Sequence, residues 1–215
     1  MAMKLYHGSK RKIEKPIYQG SKKDNDYGPA FYMTQDYDSA GEWACRNNSV
    51  GFINEYNLET RGLKVLNLTD SSTYSVLNWL AILLHFRKLN DSFVNSFSNR
   101  LRFIEDHYYI DVNDYDMVIG FRADDAYFRF PLDFIRGNLT LEQLEFSFKL
   151  GNLGIQCALI SEKAIEHLTF VSAFEANEIY IGKYFNNVKE TTIRFNNLNK
   201  DEEGTRIFDI IRNNK

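Results

Sequence analysis

Hydrophobic positions along this chain switch between a period of two and a period near 3.6, and the switches mark its elements. Met3 to His7 reads as a short strand ending at Gly8, and Phe31 to Thr34 as a second strand, after a polar loop interrupted by Pro16 and Gly20. Ser39 and Glu42 have capping-box spacing and predict a helix through Trp43, Ala44 and Cys45. In 52–58, Phe52, Tyr56 and Leu58 share one face while Ile53, Glu55 and Asn57 share the other. Residues 64–68 repeat the alternation beyond Gly62, which predicts an antiparallel pair.

Between Thr73 and Leu89, Val76, Leu77, Leu80, Leu83 and Leu84 fall at helical spacing and predict a mostly buried helix, with a more charged one from Phe93 to Tyr108 packed outside it. Asp116 to Gly120 reads as a core strand stopped by glycine. Thr140 with Gln143 starts a further helix that Gly151 ends, Ile155 to Ile160 is a strand, and Ser161 caps a helix opening at Glu162. The tail is weakly amphipathic around Ile207 and Ile210. The sum is an α+β fold in one domain, residues 1–215, with a helical insertion at about 73–108 and an extension at about 171–215. No glycine-rich turn joins a strand to a helix, so a parallel dinucleotide-binding fold is excluded.

Composition sharpens this reading. An apolar fraction of 44% supports a full core rather than a disordered chain. A net charge of −3 argues against coating nucleic acid or a membrane by charge alone. The cations are uneven, however: Lys10, Arg11, Lys12, Lys15, Lys22 and Lys23 gather between the first two strands, as a solvated loop or one that handles phosphate. Cys45, Cys157 and the four histidines show no metal-ligand spacing, so no metal and a reducing compartment are expected. Without an apolar leader, and with Trp79 to Leu84 as the longest apolar run, the expectation is a cytoplasmic protein without membrane contact.

The chemistry concentrates in Leu5-Tyr6-His7-Gly8-Ser9 and Tyr27-Gly28-Pro29-Ala30-Phe31-Tyr32-Met33-Thr34. Each sets a ring-bearing polar residue beside glycine, where a flat ligand can approach bare backbone. These motifs, with Ala40 and Trp43 following, resemble the first two signatures of the ADP-ribosyltransferase superfamily, in its His-Tyr-Glu branch. More closely the chain resembles a bacterial family of unknown function assigned to that superfamily. The likeness extends through Asp114 to Gly120, Ala123-Asp124-Asp125, Gln156 and Glu162-Lys163-Ala164, covering residues 4 to about 170.

The resemblance implies a split antiparallel β-sheet with NAD, as substrate, in the cleft between its halves. His7 would hold a ribose hydroxyl, the Gly8 backbone would pair with the nicotinamide carboxamide beside Ser9, and Tyr32 would stack on the nicotinamide ring. Gln156 stands where the wider family has glutamate. A neutral amide accepts a hydrogen bond but brings no full charge to the oxocarbenium-like state. Three readings stay open: Gln156 positions while another carboxylate supplies charge, with Asp124 and Asp125 as candidate auxiliary acids; the acceptor is an intrinsically good nucleophile; or the chain only binds the dinucleotide. The implied activity is mono-ADP-ribosyl transfer to an unknown protein or nucleic-acid acceptor, as a toxin with a small antitoxin partner. The alternatives are a non-catalytic NAD- or nucleotide-binding module, or an interaction domain docking a partner on the helix from Thr73 to Leu89. Trp43 reads as packing behind the pocket, and Glu162 as a helix N-terminal charge.

Overall fold

The computed structural model describes residues 2–123, 128–147, 154–198 and 203–214. One antiparallel sheet holds β1 (Ala2–Ser9), β3 (Phe52–Glu59) and β7 (Leu168–Glu175), with β3 in the centre. The second holds β2 (Phe31–Met33), β6 (Ile155–Leu159), β5 (Met117–Phe121) and β4 (Val65–Asn67), in that spatial order. It is antiparallel except for the β4–β5 pair. With eight α-helices among the described residues, the chain is α+β.

The expected antiparallel pairing of 52–58 with 64–68 is corrected. β1 and β7 occupy both edges of β3, so β4 crosses to the second sheet and runs parallel to β5. Alternation then sorts the second sheet's side chains. Phe31, Met33, Met117, Cys157 and Leu159 meet Leu5, Tyr56 and Leu58 of the first sheet in one apolar layer. On the opposite face, Val118 and Ala158 join a larger core with α2 (Val76–Phe86), and Tyr32 packs against it.

α2 buries Val76, Leu77 and Trp79 to Leu83, and α3 (Asp91–Tyr108) lies outside it, burying only Phe93 and Ile104. The apolar stripe of α2 is thus spent within the core, which removes it as a surface for docking a partner. α1 (Tyr37–Cys45) begins two residues before Ser39: Asp36 is its N-cap, its carboxylate accepting the Ser39 N–H at 2.6 Å. The helix rests on the first sheet, with Ala40 and Ala44 against Ile53. Gly8 lies inside β1 rather than ending it, and the position takes glycine because a Cβ there would stand 2.1 Å from the Ala40 carbonyl oxygen and 2.7 Å from the Ala44 nitrogen. β5 likewise runs through Gly120, whose missing side chain leaves room for the Tyr27 hydroxyl.

α4 (Arg129–Arg136) precedes α5 (Leu141–Ser147), whose start carries the expected reciprocal bonds between Thr140 and Gln143, both 3.1 Å. The expected stop at Gly151 lies outside the described residues. Ser161 caps α6 (Glu162–Glu166), and Glu162 occupies its first turn. The C-terminal region does more than the weak amphipathic pattern implied. It supplies β7, then α7 (Lys183–Asn196), which Lys183 and Asn187 tie to Glu42 of α1 at 3.2 and 2.8 Å. α8 (Ile207–Asn213) reaches α3, with the Arg100 guanidinium 4.2 Å from the Phe208 ring centre.

Candidate functional site

β1 and β2 touch at one bridge, where Tyr6 N–H donates to the Thr34 carbonyl at 2.7 Å and Thr34 N–H to the Tyr6 carbonyl at 2.9 Å. Beside the bridge opens a cleft of about 970 Å³. Because Tyr6 spends both backbone groups on Thr34, the alternation of an antiparallel pair gives β3 the groups of Leu5, His7 and Ser9. It turns the N–H and C=O of Gly8 toward the cleft, which Gly8 lines. Glycine here serves two ends: bare backbone on the cleft side and space for α1 on the other.

His7 projects into the gap and stacks on Phe31, ring centres 4.5 Å apart. Its Nδ1 lies 2.7 Å from the Tyr32 carbonyl oxygen. A carbonyl only accepts, so Nδ1 carries the proton; burial holds the imidazole pKa below its usual value, and the neutral ring keeps Nε2 as an acceptor. The Tyr32 hydroxyl is already committed. It donates to the Gly28 carbonyl at 2.7 Å and accepts the Tyr27 N–H at 3.0 Å, closing the turn in which Gly28 has φ +75°. Burial pushes the phenol's pKa above its ordinary range, so it remains a donor. What Tyr32 offers a ligand is its ring.

Gln156 lines the same cleft from β6, opposite Gly120. Its Nε2 donates to Asp26 Oδ2 at 2.8 Å and to the Phe121 carbonyl at 3.3 Å. Both partners are acceptors, which settles the orientation of the amide, and no described residue donates to Oε1. The carboxamide therefore presents an oxygen acceptor.

Asp26, absent from the expected site, is the buried acid of this cleft at 6% exposure. Its Oδ2 also accepts the Ala123 N–H at 2.8 Å, and Arg87, just past the end of α2, approaches Oδ1 at 3.6 Å. Burial raises its carboxyl to about 6 against the opposing pull of the Ala123 N–H, Arg87 and Gln156. A carboxyl whose folded pKa exceeds its unfolded one binds its proton more tightly when folded. Its stabilising contribution is therefore present below pH 4 and lost as pH rises through about 6. In Asp26→Asn the amide oxygen keeps both short bonds and the slope vanishes. Urea midpoints of wild type relative to this variant should fall by the equivalent of ~2 kcal/mol between pH 4 and 7. A constant difference across that range would contradict the assignment.

Of the remaining expected residues, Ser9 is not among those that line the cleft. Its hydroxyl donates to the Arg11 carbonyl and accepts from Asn54 Nδ2 at 3.1 Å, stapling the following loop to the sheet. Asp124 and Asp125 lie outside the described residues. Trp43 is not packing behind the pocket: it lines the cleft between two guanidinium groups, Arg46 at 4.1 Å and Arg122 at 3.9 Å from its ring centre.

A family sequence profile matches residues 3–170. The chain belongs to that family, described as a protein of unknown function (DUF3990). The match takes in His7, Gly8, Asp26, Tyr32 and Gln156 and ends within β7. No curated protein and no solved structure matches the chain. Among the described residues, no group of three or more His, Cys, Asp or Glu side chains is placed to hold a metal ion, and no helix is long and apolar enough to cross a membrane.

Proposed function

We propose that this chain is an NAD-dependent mono-ADP-ribosyltransferase that binds NAD at the split between its sheets. The observation that carries the reading is the convergence, on one cleft, of four unlike groups from three strands: His7 Nε2, the Gly8 backbone edge, the Tyr32 ring and Gln156 Oε1. The sequence resemblance assigns a ribose contact to the first, the nicotinamide carboxamide to the second and the pyridine ring to the third. Arg46 and Arg122 suit the dinucleotide's phosphates.

Cleaving the bond from ribose to nicotinamide develops positive charge on the sugar, and fixed electron-rich groups lower that barrier. Gln156 Oε1 would accept the ribose hydroxyl's hydrogen bond. Asp26 supplies the charge that a glutamine lacks, because a carboxylate bonded to Nε2 polarises the amide and enriches its oxygen. This keeps the first of the three readings and replaces Asp124 and Asp125 with Asp26 as the acid. Turnover should rise with pH through about 6 as Asp26 ionises, and Asp26→Asn should flatten the profile.

The experiment mixes the purified chain with NAD labelled in its adenylate phosphate and a cell lysate. Transfer of label that disappears in His7→Ala is the expected result. Saturable NAD binding without transfer or nicotinamide release would overturn the enzyme and favour the non-catalytic module.

A further inference from the structure

We propose that the acceptor entering this cleft is a nucleic-acid strand, held by its phosphates along the basic loop between β1 and β2. The inference rests on the transferase reading for its chemistry but not for the binding itself. The chain carries a net charge of −3, yet among the described residues lining the cleft cations outnumber carboxylates eight to three. Such a local reversal of sign focuses field on the opening and draws in polyanions. The two phosphates of one dinucleotide need far fewer partners.

Arg11, Lys12, Lys15 and Lys22 form the loop side of the cleft and are exposed. Neighbouring residues anchor the loop that carries them. Ile13 N–H donates to Asn54 Oδ1 at 2.8 Å, the Tyr56 hydroxyl donates to the Ile13 carbonyl, and Ala30 N–H donates to Ser21 Oγ at 3.0 Å. The loop is thus pinned to the first sheet at Ile13 and joined across its own base between Ser21 and Ala30. At its tip Ile17 and Tyr18 stay 70% and 39% exposed, apolar and aromatic surface amid cations. The Tyr18 ring presents a flat π face, which bases match and an acidic peptide does not.

In the transfer, the bond from ribose C1′ to the nicotinamide nitrogen breaks and its electron pair leaves with neutral nicotinamide. A nitrogen or oxygen lone pair of the strand bonds to C1′, and the proton it displaces passes to solvent.

The test is fluorescence anisotropy with a labelled single-stranded oligonucleotide, as DNA and as RNA, without NAD, while nicotinamide release is read separately. We expect binding whose log–log salt slope is about −3, as neutralising four or five phosphates of a single strand requires. The combined Lys12→Glu, Lys15→Glu and Lys22→Glu variant should bind at least ~10-fold more weakly, and Tyr18→Ala ~5-fold more weakly, both with wild-type circular dichroism. Nicotinamide release without oligonucleotide binding, or binding indifferent to the lysine substitutions, would overturn the strand surface alone. A poly-glutamate peptide bound as tightly as the oligonucleotide would make the partner an acidic protein and overturn it too. Oligonucleotide binding without nicotinamide release would instead overturn the transferase reading and leave the surface standing.

Discussion

Gly8→Ala should destabilise the fold by about 3 kcal/mol or more, through overpacking that has nowhere to relax. The added methyl would sit 2.1 Å from the Ala40 carbonyl oxygen and 2.7 Å from the Ala44 nitrogen, both backbone atoms of α1. A flexible side chain could turn away from such a contact. A helix backbone can only lift, separating Ala40 and Ala44 from Ile53 and moving Trp43 and Arg46 at the cleft wall. Gly62 is the control, because nothing lies within 4 Å of the point an added methyl would occupy and only its φ of +82° resists substitution. Gly62→Ala should cost ~1 kcal/mol. Equal denaturation midpoints for the two variants would contradict the packing role assigned to Gly8.

Gln156 carries the second large effect. Removing its carboxamide takes away the ribose acceptor and leaves Asp26 short of a donor, so Gln156→Ala should lower nicotinamide release by ~10²-fold. Gln156→Glu is the sharper test. It sets a second carboxylate 2.8 Å from Asp26 Oδ2 where a donor stood, and both cannot ionise at that separation. The single variant should lose stability increasingly as pH rises. Adding Asp26→Asn removes one of the two facing carboxylates and with it the repulsion. The pair should recover stability with a coupling of ~1–3 kcal/mol and retain turnover, because the negative charge now faces the ribose directly. Additive effects of the two substitutions would show that Asp26 and Gln156 do not act as one unit.

These residues also show how far the site was legible in the chain. His7, Gly8, Tyr32 and Gln156 could be picked out because motif and resemblance mark them locally, and they do line one cleft. Asp26 carried no such mark. It sits in a polar Asp24-Asn25-Asp26 run that reads as solvated loop, and its burial depends on Arg87 from the far end of α2 and on Ala123 beyond β5. Trp43 hid its role for the same reason, since its partner Arg122 lies on a distant segment. The Ser9 hydroxyl, although it stands beside a binding motif, is taken up by Asn54 and the loop backbone, partners that the local sequence does not show.

For the fold, periodicity located most strands and helices because each buries one face. It could not choose partners for them. The alternation at 64–68 is the same whether it pairs antiparallel with β3 or parallel with β5, and only the occupied edges of β3 decide. β7 leaves little trace in the sequence because it is a sheet edge with no fully buried residue, so its alternation between apolar and polar side chains is weak. Gly8 and Gly120 read as strand stops when each is instead a point of close approach within a strand.

That one dinucleotide is gripped where β1 and β2 part can be tested by amide NMR during an NAD titration. The Gly8 backbone amide and the Gln156 side-chain NH₂ signals should shift together, saturating on one binding curve, with the His7 ring signals following the same curve. Shifts confined to other surfaces, or none at millimolar NAD, would contradict it.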